Sequence, residues 1–298
     1  MQPGLLYASF TLTGTRFSSA HGVPGDELEP GISAAQQAHS HHTQSFFADA
    51  SLDLSLGLTD RVGVDVALPL RTAWQSTEYW GLHDEVLSKF SSIHHIDGWK
   101  TGIGDVPISL KLRVLAPTPE RKIRLDIRPG VTLPFGGTEP DPDELARAGM
   151  PHRHLFFGTG TLDPQLGMDG SWDLGAVQLV GYGYGRMPLY ANKYNYQAGA
   201  RAAGGLGASF SAGLEQFRFL VQPEFYHENV SAWGSDIAEM SGRTDVLLGV
   251  GATWLPAPMW ALQVRAKIPL KTWSEMDSVT APWFLMVTVA RAVDLFAK

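Results

Sequence analysis

The chain contains no cysteine and no long apolar run. Without cysteine there is neither a disulfide framework nor a thiolate metal site, which suits a chain that crosses an oxidising periplasm as well as a cytosolic one. No stretch approaches the roughly 18 apolar residues of a membrane-spanning helix, so a helical membrane protein is excluded. A basic stripe is missing too, and with a formal net charge of -7 nucleic acid is a poor partner. Residues 1 to 16 lack the charged and apolar regions of a secretory signal, which reads as a mature chain with an added Met1. Mean hydropathy is close to zero, at -0.06, as in a soluble protein. A transmembrane β-barrel escapes that measure because half of its strand residues are polar.

What the chain does have is alternation. Phe46, Ala48, Ala50, Leu52, Leu54, Leu56 and Leu58 alternate with Phe47, Asp49, Ser51, Asp53, Ser55 and Gly57. After Thr59-Asp60-Arg61 the pattern resumes, with Val62, Val64, Val66, Leu68 and Leu70 set against Gly63, Asp65, Ala67, Pro69 and Arg71. One face of each strand is apolar and the other carries carboxylates and hydroxyls. Soluble barrels such as lipocalins also alternate, but these runs are about twice the usual strand length of five to six residues. Their length suits tilted strands crossing a bilayer, with lipid on the apolar face and a hydrated lumen on the polar one.

The same pattern along residues 1–298 predicts a single domain, an all-β antiparallel transmembrane barrel of about twelve strands. The expected strands lie near 4–17, 46–58, 62–71, 103–115, 123–133, 162–172, 176–186, 195–210, 217–225, 245–254, 260–268 and 282–296. Register is weakly specified in 176–186, where either face is apolar, and in the glycine- and alanine-rich 195–210. An even count puts both termini and all short turns on the periplasmic side, and the long loops outside the cell. Trp172, Trp254 and Trp260 fall outward beside short turns, where an aromatic girdle belongs. The inward positions carry Asp49, Asp53, Asp65, Lys111, Arg113, Arg124, Asp126, Arg128, Arg218, Glu224, Arg265 and Lys267. Such charges would be ruinous in a sandwich core and are ordinary in a wet lumen.

Four short motifs resemble outer-membrane proteins of the phenol meta-degradation pathway type. They are Gly102-Ile103-Gly104-Asp105-Val106 leading into Ser109-Leu110-Lys111, Arg128-Pro129-Gly130 through Gly136, Gly158-Thr159-Gly160 through Gly167, and Lys267-Ile268-Pro269-Leu270. The resemblance spans roughly residues 45 to 298. It implies a Gram-negative outer-membrane barrel that acts as a transporter. Barrels of this kind commonly end on an aromatic residue; here Phe296 is followed by Ala297-Lys298.

All ten histidines fall on the long-loop side. Residues 18 to 42 and 72 to 101 read as loops, with short helices at 34–38 and 84–90, and Asp141-Pro142-Asp143-Glu144 starts a helix that stops near Gly149. His39, His41, His42, His152 and His154 are the candidate metal ligands, since neutral imidazole suits copper or zinc. No fixed spacing such as HExxH occurs, and surface histidines are usually solvated side chains. Trp80, Phe90, Trp99, Phe156 and Phe157 would line an entrance for an apolar solute, or form the small core of a loop plug. No strand interior offers a Ser-His pair, and His83, Asp84, His94, His95 and Asp97 are only loop neighbours, so no catalysis is expected. The expected function is passive uptake of a small apolar or aromatic solute through an outer-membrane channel, with no cofactor required. The alternative is a histidine-rich surface receptor that captures copper or zinc on a barrel support. Besides the bilayer and a solute or metal ion no partner is implied, and the oligomeric state is open.

Overall fold

Strands with one apolar and one polar face must hide the unwanted face, and this chain hides its polar one. A computed structural model describes residues 2–22, 40–81, 86–87, 96–151, 155–238, 241–275 and 281–296. In chain order its elements are β1 (Leu5–Gly22), β2 (Ser40–Gly57), β3 (Val62–Trp80), β4 (Gly98–Ile103), β5 (Val106–Leu115), β6 (Ile123–Leu133), the short helix α1 (Pro142–Arg147), β7 (Asp163–Asp173), β8 (Val177–Arg186) and β9 (Tyr196–Gln197). They continue with β10 (Arg201–Phe210), β11 (Phe217–Glu228), β12 (Ala232–Trp233), β13 (Asp236–Ile237), β14 (Arg243–Trp254), β15 (Trp260–Ser274) and β16 (Phe284–Asp294).

β4 and β5 pair with the upper and lower parts of β3 and are two halves of one stave. The sheet is therefore a closed, antiparallel barrel of twelve staves, sealed where β1 meets β16 from Leu5↔Asp294 to Thr15↔Phe284. Closure leaves no sheet edge, which a bilayer demands of any spanning sheet. Burial is inverted relative to a soluble barrel. Asp126 and Asp163 are 0% exposed and Glu224 4%, whereas Leu12, Leu110 and Leu166 are about half exposed and Leu206 77%. Only lipid accommodates that surface, so the barrel spans a membrane.

Two aromatic girdles bound the apolar band. Trp172, Trp254 and Trp260 lie at the periplasmic ends of β7, β14 and β15, as the sequence predicts, and Arg291 stacks on Trp260 with its Cζ 4.9 Å from the ring. At the other end Trp74 pairs with Trp99, and Trp273 closes β15. Val62 to Trp74 is about 40 Å of strand at about 3.3 Å per residue, or about 28 Å of membrane at a tilt of about 45°.

The structure corrects four expectations. β1, β2 and β3 run for 18, 18 and 19 residues, so residues 18–22, 40–42, 72–80 and 98–101 are strand and not loop. Above the membrane both faces turn polar and alternation stops, but the ladder continues because each backbone group still finds a partner. Trp80 and Trp99 share the outward register of Trp74, and so belong to the outer girdle instead of an entrance. Of the predicted helix at 84–90 only Val86 and Leu87 are described, and they are not helical: Val86 bridges to Trp80 and the Leu87 N–H donates to the Tyr79 carbonyl at 2.8 Å. The last strand pairing of β10 ends at Arg201, and Tyr196–Gln197 belongs to a separate small sheet. The predicted helix at 34–38 and Phe90 lie outside the described residues. α1 starts and stops as expected, and Gly149 takes a φ of 67° to end it.

Candidate lumen pathway

Strand parity carries every predicted lumen residue to the inner face. Asp49 pairs with Arg71, Asp53 with Ala67, Asp65 with Ser109, Lys111 with Gly63, Arg113 with Asp126, Arg124 with Ser171, Arg128 with Gly167, Arg218 with Thr253, Glu224 with Leu247, and both Arg265 with Gly251 and Lys267 with Gly249. Eleven of these side chains sit in the barrel interior. Asp53 bonds only to Ser51, and exposed Arg218 stands at the periplasmic mouth.

The interior charges form two networks on facing walls. On one, Arg113 holds both oxygens of Asp126, Arg124 reaches Asp169 at 2.6 Å, and Arg128 joins Asp169 to Asp65. On the other, Glu224 collects Arg265, Lys267 at 2.9 Å and the hydroxyl of Tyr182, while Arg265 also donates to Gln222. Gly205 and Gly249 make room for that cluster, since a Cβ on Gly205 would lie 2.9 Å from Glu224 Cγ and one on Gly249 2.4 Å from Glu224 Oε1. Cations and carboxylates bonded to each other in this way lower the cost of removing either from water.

These networks partition the lumen. Toward the extracellular side lies a cavity of 520 Å³, walled by Phe17, Phe47, Phe284, Leu155, Leu247 and Arg243 and floored by Tyr182, Glu224 and Lys267. Below the partition lie separate cavities of 310 Å³ beside Arg124, Asp169 and Gln222, and of 270 Å³ beside Asp53, Asp65 and Lys111.

At the top, the described parts of the segment 134–162, residues 134–151 and 155–162, fold inward. Asp105, where the fourth stave breaks between β4 and β5, accepts the backbone N–H of Gly136 at 3.0 Å and of Thr159 at 2.8 Å, and the Thr159 hydroxyl at 3.0 Å. Arg71 donates to the Phe157 carbonyl at 3.2 Å, and Lys100 bonds Glu139 and the Leu155 carbonyl. Arg186 reaches Asp163 at 3.1 Å, and Asn192 donates to the Thr159 carbonyl. Phe156 packs on Tyr196 and Trp233 of the small β9–β12–β13 sheet, with Ala198 and Ala238, so the aromatic residues there form a loop core. Burial raises the pKa of the Tyr196 phenol above its ordinary value.

Of the candidate histidines only His41 and His42 are described, and these two are not brought together. His41 and His42 are neighbours on β2 and so face opposite sides: His41 is buried against the inward Tyr79, and His42 lies outward against Trp80. His39, His152 and His154 lie outside the described residues. Among the described residues no three His, Asp or Glu side chains form a metal-sized cluster. Sequence reasoning passed over Arg71, Asp105, Asp163, Tyr182, Arg186, Arg201, Tyr226, Arg243 and Asp245 as site residues. The signal existed for Arg243, which shares its parity with Asp245, but it lies beyond the apolar alternation.

The architecture defines an outer-membrane β-barrel with a filled, charged lumen. In overall shape the chain is similar to an outer membrane channel from Pseudomonas putida F1, with a TM-score of 0.63, 14% identity, and coverage of 98% of this chain and 97% of that one. It also aligns with a Pseudomonas aeruginosa FadL homologue (TM-score 0.45, 9% identity, 98% and 90% coverage) and with the P. putida toluene transporter TodX (0.47, 7%, 99% and 91%). No family model and no curated protein matches the sequence.

Proposed function

We propose that the barrel is a passive outer-membrane channel for a small solute with an apolar or aromatic body. The observation that carries this reading is the run of three cavities along one lumen, apolar and aromatic at the top and charged below, divided by side chains and not by a wall. Side-chain partitions open by rotamer change, whereas the ladder around them is complete. The fold likeness to a channel and the motif resemblance to phenol meta-degradation barrels support the same direction. A solute passing the partition meets fixed charges of both signs, which select by size and polarity. In this reading the protein performs no chemistry and requires no cofactor.

The test is reconstitution into liposomes. Swelling in phenol or a small polyol that exceeds protein-free liposomes is the expected outcome, and a barrel impermeable to every solute tried would remove the channel function.

A further inference from the structure

Arg243 is placed unlike the other lumen cations. Its Nε meets the Asp245 carboxylate at 2.7 Å, and its guanidinium lies over the rings of Phe17 and Phe284, 5.4 and 6.0 Å from their centroids. Phe17 in turn meets Phe47 and Phe284 edge-on, with centroids 5.3 and 6.1 Å apart. A guanidinium whose face is covered by rings keeps its N–H groups in the plane, free to take a carboxylate. Arg243 Nη2 has no acceptor among the described residues and no exposed surface, so a ligand reaches it only when the side chain turns into the cavity that it lines.

The neighbouring charges leave this donor available. Glu224 is held by Lys267, Arg265 and Tyr182, and Glu228 by Arg201 and Tyr226. Asp245 divides itself between Arg243 and the Thr272 hydroxyl at 2.6 Å. The cavity lining carries Arg243 and Lys267 against Glu224, Glu228 and Asp245, and each of these carboxylates is already held by a cation, with Arg201 behind Glu228 and Arg265 behind Glu224. The volume of 520 Å³ lies within the range of small-molecule sites.

From this geometry, and resting on the channel reading above, we propose that the upper cavity is a binding site for an aromatic monocarboxylate. Arg243 takes the carboxylate through its unpaired Nη2, and Phe17, Phe47 and Phe284 take the ring. A neutral aromatic solute leaves the buried donor unsatisfied, and an aliphatic carboxylate leaves the rings without a partner. A ring bearing one carboxylate answers both. Arg243 and Phe284 are then the residues that set specificity, above the partition that every solute must cross.

The experiment is calorimetry on the full chain in nanodiscs, with empty nanodiscs as blank, using benzoate, benzyl alcohol and acetate as probes. Benzoate should bind at least tenfold more tightly than either other probe. R243Q should bring benzoate down to the level of benzyl alcohol while leaving benzyl alcohol within about twofold, and F284L should weaken both ring-bearing probes. R243K, which keeps the charge and loses the planar fork, should be intermediate. Heat-modifiable gel mobility and circular dichroism identify a variant that has not folded, and R243K supplies the test if R243Q fails to fold. Equal affinity for benzoate and benzyl alcohol, or unchanged benzoate binding in the folded Arg243 variants, would overturn the proposal. Liposome swelling on the same preparations separates the two readings: binding without permeation removes the channel and keeps the site, whereas permeation without benzoate binding removes the site and keeps the channel.

Discussion

Asp126 and Asp169 stand directly opposite each other across the β6–β7 ladder, two carboxylates at one level of the lumen. Opposed like charges destabilise an ordinary sheet. Here guanidinium groups interleave with them. Arg113 contacts Asp126 at 2.8 and 3.0 Å, Arg124 lies between the two at 3.8 and 2.6 Å, and Arg128 ties Asp169 to Asp65 at 2.8 Å. The result is a chain of alternating sign along one wall, which fixes a field across the path between the lower cavities.

Removing one link unbalances that field. Asp126→Asn leaves Arg113 and Arg124 without their shared counter-charge, so the reversal potential of the reconstituted barrel should move toward anion selectivity. Unfolding in urea should show a loss of about 1–3 kcal/mol, because the residue is fully buried and its partners stay behind. Asp53→Asn, at a residue bonded only to Ser51, should leave stability close to wild type. Unchanged selectivity in Asp126→Asn would remove this network from the conduction path.

The β2–β3 hairpin is legible in the sequence because lipid and lumen impose opposite demands on alternate residues, and Leu52, Leu54, Val64 and Val66 carry no ambiguity. The β8–β10 wall is not. Gly181, Gly183 and Gly185 face outward, Gly205 and Gly207 inward, and register there is decided by Tyr182, which packs in the space left by its cross-strand partner Gly205. Glycine on both faces erases the period that reveals a strand. The charged lumen residues were legible by parity alone, whereas their pairing was not, because Arg128–Asp65 and Glu224–Lys267 join strands far apart in the chain. The inward fold of 134–162 leaves no periodic trace either, since it depends on hydrogen bonds from distant segments to Asp105.

Lipid-facing and lumen-facing neighbours should differ sharply in tolerance. Leu54→Arg or Val250→Arg, on outward positions of β2 and β14, should cost about 2–4 kcal/mol in a lipid-based unfolding titration. Charge at the adjacent Asp53 is native and hydrated. Equal tolerance at Leu54 and Asp53 would contradict the register of Leu54↔Val66 and Asp53↔Ala67.

A metal ion shared by His41 and His42 is incompatible with strand β2, which turns their side chains to opposite faces. Titration of the barrel with zinc or copper should therefore give the same curve for His42→Ala as for wild type. Loss of a whole-number binding step in that variant would place His42 in a metal site completed by groups other than His41.

The latch of the inward segment is the most direct handle on permeability. Asp105 accepts three hydrogen bonds, from the Gly136 and Thr159 backbone and the Thr159 hydroxyl, and Gly136 packs so closely on Gly158 that a Cβ there would meet the Gly158 Cα at 2.5 Å. Asp105→Ala removes the acceptor and leaves the two backbone donors buried and unpaired, a cost of about 1–3 kcal/mol each that the segment relieves by moving toward water. The barrel wall itself should hold, because β3 keeps its ladders to β4 and β5 on either side of the break. Single-channel recordings should then show conductance several-fold above wild type, with more frequent open events. Asp105→Asn retains one acceptor oxygen and should fall between the two. Wild-type conductance in a folded Asp105→Ala barrel would mean that the 134–162 segment does not limit passage, and would move the barrier down to the Tyr182–Glu224–Lys267 partition.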